Sequence, residues 1–350
     1  IEVDGKVCLN CSTNDYLGLA DNPEVKKASR EVIKIYGNSS KGSRVVSGNF
    51  YLYDKLEEEM AKFKGYEKCL VVNSGYIANL LIMSTLVDKD SVVFTDKLNH
   101  ASIYDGIKMS EGKMVRYNHN DIEHLGRLLK KYAHIPFKFL VTDTVFSMDG
   151  DFAKVKEISE LKEQYRFTMI VDEAHATGIY GKGRGLCHEY ELESVVDVNM
   201  GTFSKAFGSL GGYICSDGAT IDFLINKGRA FIYTTALPPS VVGANLKALE
   251  LVRDKYDMLG GKLLKLSKIF KDLLKQNGME SLDNHSHIFP FLFRDNEEAL
   301  AAQKKLSEYG VFAGLARRPT VQIPRLRVSL RADFTKTDLS EIIKCLKKVI

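Results

Sequence analysis

The sequence predicts an α/β protein with a mainly parallel central sheet sandwiched by helices, followed by a smaller C-terminal α+β unit. Two observations carry this. From about Lys68 to Cys215, short β-branched runs alternate with helical patterns, as in parallel β-α-β units with right-handed crossovers. After "TTALPPS" the pattern changes to long amphipathic helices, "NLKALELVRDKYDML" and "KLLKLSKIFKDLLKQNG", then a β-rich stretch and a last helix, "DLSEIIKCLKKVI". A chain of 350 residues is long enough for two lobes. The expected divisions are an N-terminal segment over 1–18 leading into the site, a large domain over 19–252 and a small domain over 253–350.

Taken in order, the chain opens on "IEVDGKVCLN", which has no basic region followed by an apolar stretch, and no apolar run reaches bilayer length. A cytoplasmic setting is expected. Cys8 and Cys11 form a C-x-x-C, but no second pair follows at zinc-finger spacing and "VCLNCS" alternates like a strand, so buried strand thiols are expected. An apolar fraction of 45%, a charged fraction of 27% and a net charge of +4 describe an ordinary globular protein. Interspersed charge of that size does not indicate nucleic acid or anionic membrane as the main partner.

The strand candidates are "SVVFTD", "KFLVTD", "FTMIVDEAH", "VVDVNMGTF" and "GGYICSD". Ligands in such sheets bind at the carboxyl ends of the strands, and His100, Ser147, Asp172, His175 and Lys205 lie at or just past those ends. "VDEAH" has the letters of a helicase Walker B box, yet no G-x-x-x-x-G-K-[ST] loop accompanies it. Asp172 then reads either as an anion pairing with a protonated ring nitrogen or as a cap on the next turn. "NSGYIANL" opens a helix: the N–H groups of Gly75 and Tyr76 either face an anion or leave Ser74 as a plain N-cap. His100 in "NHAS" either stacks on an aromatic ring or is a satisfied core histidine. "GIYGKGRG" follows a late strand, the wrong place for a dinucleotide loop, and reads as a flexible loop near the site.

Lys205 in "GTFSKAFGSLGG" is, alone, a snorkelling surface lysine. Withdrawn from water it becomes a nucleophilic amine able to form a Schiff base, with Thr202 and Ser204 placed to bind a phosphate.

The segments "STNDYLGL", "KGSRVVSGN", "NSGYIAN", "NHAS", "VFSMDGD", "VDEAHATG", "GTFSKAFG", "YTTALPPS" and "RLRVSL" resemble, in order and over nearly the whole chain, the α-oxoamine synthases of the fold-type I pyridoxal-phosphate enzymes. The resemblance implies pyridoxal 5'-phosphate as cofactor and no metal. It implies that Lys205 carries the cofactor and shuttles protons, that Asp172 pairs with the pyridinium nitrogen, that His100 stacks on the ring, and that Ser147 and His175 approach its phenolic oxygen. Gly75, Tyr76, Thr202 and Ser204 would bind the phosphate, joined by Thr235 of the neighbouring subunit, which implies a homodimer with shared sites. Asn14 and Arg327 would hold the amino acid, a guanidinium suiting a carboxylate. "KGSRVVSGN" is most similar to the members that condense L-alanine with a pimeloyl thioester, on CoA or an acyl carrier protein; the same chemistry on glycine with acetyl-CoA is the alternative. A non-catalytic paralogue on this fold would have lost its lysine, whereas Lys205 is present in its whole setting. Two features depart from the family: "SLRADFTKTD" follows the arginine motif, and members usually carry a further helical segment before the strand leading to "NDYLGL".

Overall fold

A computed structural model describes residues 1–282 and 285–350. The strands in chain order are β1 (Glu2–Val3), β2 (Lys6–Val7), β3 (Leu9–Cys11), β4 (Lys68–Val72), β5 (Ser91–Asp96), β6 (Lys113–Tyr117), β7 (Phe137–Asp143), β8 (Thr168–Asp172), β9 (Val198–Thr202), β10 (Gly212–Ser216), β11 (Ile288–Leu292), β12 (Val311–Ala316) and β13 (Arg325–Ser329). The large sheet has seven strands in the order β4-β10-β9-β8-β7-β5-β6. β6, β5, β7, β8 and β9 run parallel, so their carboxyl ends share one edge.

β10 differs from the expected parallel unit: it pairs antiparallel with both β9 and β4. The link between β9 and β10 is the short segment 203–211, too short for a helical crossover, so the chain can only turn back. Lys205 rides on that turn. The turn is held by Phe203, whose N–H donates to the Gly211 carbonyl at 2.9 Å, and by the buried Phe203–Phe207 edge contact with centroids 5.4 Å apart. Gly212 has no room for a side chain, because a Cβ there would meet the Ser74 carbonyl at 2.5 Å. The "NSG" turn and the lysine turn are thereby pressed together.

Apolar side chains fill both faces of the large sheet. Leu81, Ile82, Ile103 and Ile170 pack on one side, and Phe94, Leu140, Met169 and Val171 contribute to the core on the other. The C-terminal residues build a second sheet of four strands, β11-β13-β12-β3. Its edge strand comes from the N-terminus: β3 pairs parallel with β12, Leu9 beside Val311 and Cys11 beside Ala313. This explains the alternation of "VCLNC". Cys8 and Cys11 are free and buried, and burial pushes the Cys11 thiol up to about 12. "GIYGKGRG" is not a loose loop; Gly181 and Gly183 are buried, and a Cβ on Gly185 would overlap the Glu173 carboxylate. Among the described residues no helix is long and apolar enough to cross a membrane.

Candidate active site

Lys205 Nζ lies 2.9 Å from His175 Nε2. Burial pushes its amine down to about 8; the nearby Asp172 and Asp143 carboxylates oppose the shift and Arg327 adds to it. A lysine at that value offers a sizeable neutral fraction near neutrality. The other His175 nitrogen, Nδ1, is 2.7 Å from the Tyr16 hydroxyl. Burial, then the charges of Lys205 and Arg327, hold the His175 imidazole well below its ordinary range, so it is neutral.

Tyr16 joins this line to the small sheet. Its hydroxyl lies 3.0 Å from Asn14 Oδ1 and accepts from Arg327 Nη2 at 2.7 Å; the same Nη2 donates to Asn14 at 2.9 Å. Arg327 stands in the middle of β13, opposite Pro290 on β11 and Gly314 on β12. Its Nε is buried without a hydrogen-bond partner. A guanidinium with one side engaged and one N–H open in a closed cleft fits a carboxylate. The unusual "LRAD" segment braces this arrangement: Ala332 N–H donates to the Tyr16 carbonyl at 2.7 Å, and Arg331 forks onto Asp333.

Asp172 ends β8 and is buried. Its Oδ1 accepts from the Ala174 N–H at 2.9 Å and its Oδ2 from Asn79 Nδ2 at 2.8 Å. Asn79 also donates to Ser102 Oγ at 2.9 Å, and Ser102 Oγ lies 2.7 Å from His100 Nδ1. One amide thus couples the strand-end acid to the histidine, whose pKa burial lowers. Asp143 stands in register with Asp172 on the next strand and accepts from the His100 N–H at 2.7 Å. Burial first, then the Asp172 charge, raise the Asp143 carboxyl well above its usual range.

Gly75 opens the helix Gly75–Leu86, with Ser74 accepting from Ile77 N at 3.2 Å. A Cβ on Gly75 would come within 3.3 Å of the Thr202 side chain, so the glycine keeps a small cradle clear between the helix N-terminus and Thr202. Thr202 Oγ1 donates to the Gly211 carbonyl at 2.7 Å and lies 2.7 Å from Ser204 Oγ. Tyr76 stands edge-on to His100, centroids 6.4 Å apart.

Among the described residues, Ser147 and Thr235, both expected in the site, make no hydrogen bond to Lys205, His175, Tyr16, Arg327 or Asp172. Ser147 is half-buried in the turn closed by the Val145–Phe152 bridge. Thr235 is exposed, its carbonyl accepting from Asn73 Nδ2 at 2.7 Å. Conversely, Tyr16, Asn79, Ser102 and Asp143 belong to the site without having been singled out from sequence. Asn79 and Ser102 fall inside "NSGYIAN" and "NHAS", and Asp143 is a second strand-end acid, so position within these segments was the available signal.

A comparison with protein families matches residues 6–346 to the family "aminotransferase class I and II". The chain belongs to this family. Among its class I and II relatives, a Bacillus cereus protein provisionally named 8-amino-7-oxononanoate synthase is 45% identical over 340 residues, covering 96% of this chain and 86% of its own. A Bacillus anthracis relative with the same provisional name is 44% identical over 340 residues, with the same coverage. Among solved structures, the class I and II fold seen here is similar to serine palmitoyltransferase from S. paucimobilis with a bound PLP–myriocin aldimine. That pair gives a TM-score of 0.96 at 30% identity, over 99% of this chain and 88% of the other. The 8-amino-7-oxononanoate synthase of Francisella tularensis gives 0.82 at 30% identity, over 97% of both chains. This class I and II member is therefore a fold-type I enzyme of the α-oxoamine synthase kind, an acyltransferase.

Proposed function

We propose that this enzyme condenses L-alanine with a pimeloyl thioester, releasing carbon dioxide and the free thiol and giving 8-amino-7-oxononanoate. The observation that carries the reading is the unbroken line Lys205–His175–Tyr16–Arg327/Asn14, which sets a nucleophilic amine and an open guanidinium N–H in one cleft. The choice of alanine and a pimeloyl group is supported by the names of the relatives at 44–45% identity.

The cofactor is pyridoxal 5'-phosphate, and the residues present suit it. The buried Asp172 carboxylate, fixed by Asn79, matches a protonated ring nitrogen, and the cleared cradle at Gly75 matches a phosphate. When bound, the cofactor supplies an electron sink that makes a proton on the amino acid's α-carbon acidic. In this proposal Lys205 holds the cofactor and later takes and returns that proton at Nζ. His100 lies against the ring, and His175 and Ser147 serve its phenolic oxygen. Gly75, Tyr76, Thr202 and Ser204 bind the phosphate. Arg327 and Asn14 orient the substrate carboxylate, Arg327 through its open Nε–H.

Thr235 reaches the phosphate bound by the other subunit of a homodimer, in the cytoplasm. The dimer is supported by a cluster of exposed apolar side chains, Val45, Val46, Tyr51 and Tyr233, on segments stitched together through the Ser40 hydroxyl, 2.8 Å from the Ala236 carbonyl. Steady-state assays of alanine, glycine and serine against pimeloyl-, acetyl- and palmitoyl-CoA test the substrate assignment. Thiol release is expected with alanine plus pimeloyl-CoA; release only with glycine plus acetyl-CoA, or serine plus palmitoyl-CoA, would overturn it.

A further inference from the structure

We propose that the Tyr16 hydroxyl is a proton switch: by donating either to Asn14 or to His175, it decides whether the His175 nitrogen facing Lys205 accepts a hydrogen bond or donates one. Tyr16 is fully buried, so all its partners are protein groups. Its oxygen accepts from Arg327 Nη2 at 2.7 Å, which leaves one proton and one lone pair for two neighbours, Asn14 Oδ1 at 3.0 Å and His175 Nδ1 at 2.7 Å. Asn14 Oδ1 can only accept, because it already takes the Arg327 N–H. The groups facing His175 and Tyr16 are Lys205, Arg327, His287 and His100, and none of them is an anion that would charge the imidazole. His287 packs edge-on against Tyr16, centroids 4.1 Å apart, and burial with the Arg327 charge pushes it down to about 3, so it is neutral too.

A neutral imidazole carries one proton, and two arrangements satisfy the line. In the first, Tyr16 donates to Asn14, His175 Nδ1–H donates to the Tyr16 oxygen, and Nε2 accepts from a Lys205 ammonium. In the second, Tyr16 donates to Nδ1, and Nε2–H donates to a neutral Lys205 amine. The two arrangements differ by one proton, which the Lys205 ammonium gives up to solvent in the cleft, while the single imidazole proton changes from Nδ1 to Nε2 and the Tyr16 hydroxyl keeps its proton and turns it from Asn14 to Nδ1. Atoms and charge balance with a single proton released. Tyr16 is a positioning residue in this scheme, acting on Lys205 through His175.

The inference rests on Lys205 being the reactive amine of the proposed function, and not on which amino acid or thioester is used. Two measurements on the full-length, cofactor-free protein test it. With 15N-labelled histidines, NMR is expected to show His175 changing from the Nδ1–H to the Nε2–H tautomer over the pH range in which Lys205 loses its proton; one tautomer throughout would overturn the switch. In Tyr16→Phe both forms lose their partner at Nδ1, but an orphaned buried N–H costs more than a bare ring lone pair, so the Nδ1–H form, and with it the ammonium form of Lys205, is disfavoured. The midpoint of the pH dependence of pyridoxal-phosphate capture then falls by about one pH unit, a tenfold loss of proton affinity. A folded Tyr16→Phe protein with an unmoved midpoint would also overturn it, since a purely structural role lowers the melting temperature and leaves the midpoint in place. If that variant does not fold, the NMR titration of the unaltered protein decides. Failure of alanine as substrate would leave both readouts untouched.

Discussion

At the scale of single residues, Lys205 shows how burial becomes reactivity. Its amine, held at about 8 chiefly by burial, is protonated below that value and neutral above it. Capture of pyridoxal phosphate by the cofactor-free protein requires the neutral amine, so its rate is expected to rise with pH through about 8 and level off above it. A solvated lysine would keep gaining up to about 10.4. Stopped-flow absorbance in the visible checks this, with Lys205→Ala giving no lasting band after gel filtration; a rate still climbing at the highest pH would contradict the buried amine. Lysine and aspartate were legible in the sequence because their chemistry is written in residue type and strand-end position. Tyr16, Asn79 and Ser102 were not, because a hydroxyl or amide becomes functional only through partners distant in sequence. Tyr16 meets Arg327 across 311 positions, and Asn79 meets Asp172 across 93.

At the scale of elements, the site depends on a second layer beneath it. Glu173 follows Asp172 but points the other way, into a buried ion pair with Lys64 at 2.5 Å. It also accepts from the Cys187 N–H at 2.8 Å and Asn199 Nδ2 at 2.9 Å. Lys64 ends the helix Tyr51–Lys64, so one carboxylate ties that helix, β9 and the "GKGRG" turn to the residue beside Asp172. Removing one partner leaves a buried charge uncompensated. Lys64→Met is expected to cost about 3–5 kcal/mol in denaturant unfolding, and Lys64→Met with Glu173→Leu to recover part of it. A loss below about 1 kcal/mol would place the pair among exposed salt bridges of little consequence. The alternation of strands and helices was readable because periodicity reports which face is buried. The reversal of β10 hides in the length of a loop, and the close packing of "GIYGKGRG" hides in glycines of positive φ that serve contact and not mobility, Gly185 against Glu173, Gly181 against Glu189 and Gly183 against Val252.

At the scale of the whole molecule, the cleft lies where the carboxyl edge of the seven-stranded sheet meets β13 and the N-terminal segment of the four-stranded sheet. That meeting was only partly legible. The sequence placed Asn14 and Arg327 together through a family resemblance, whereas the pairing of β3 with β12, which brings them there, joins segments some three hundred residues apart that share no local pattern.

Thr235 carries the question beyond one chain. Its carbonyl is tied to Asn73, yet its side chain is exposed among the apolar residues proposed to face a second copy. If Thr235 of each subunit serves the other's cofactor, then Lys205→Ala and Thr235→Ala subunits, each impaired alone, complement one another. In a mixed dimer one site carries both substitutions and the other carries neither. Random pairing of equal amounts makes about half of the dimers mixed, each with one intact site of two, so co-expressed subunits are expected to recover about a quarter of the unaltered activity. Differently tagged subunits purified through both tags contain only mixed dimers and are expected to reach about half. If Thr235 serves its own subunit's site, no intact site arises in any pairing, and the mixture does no better than the average of the two variants. Activity per cofactor bound, measured on the doubly purified dimer, separates the two outcomes.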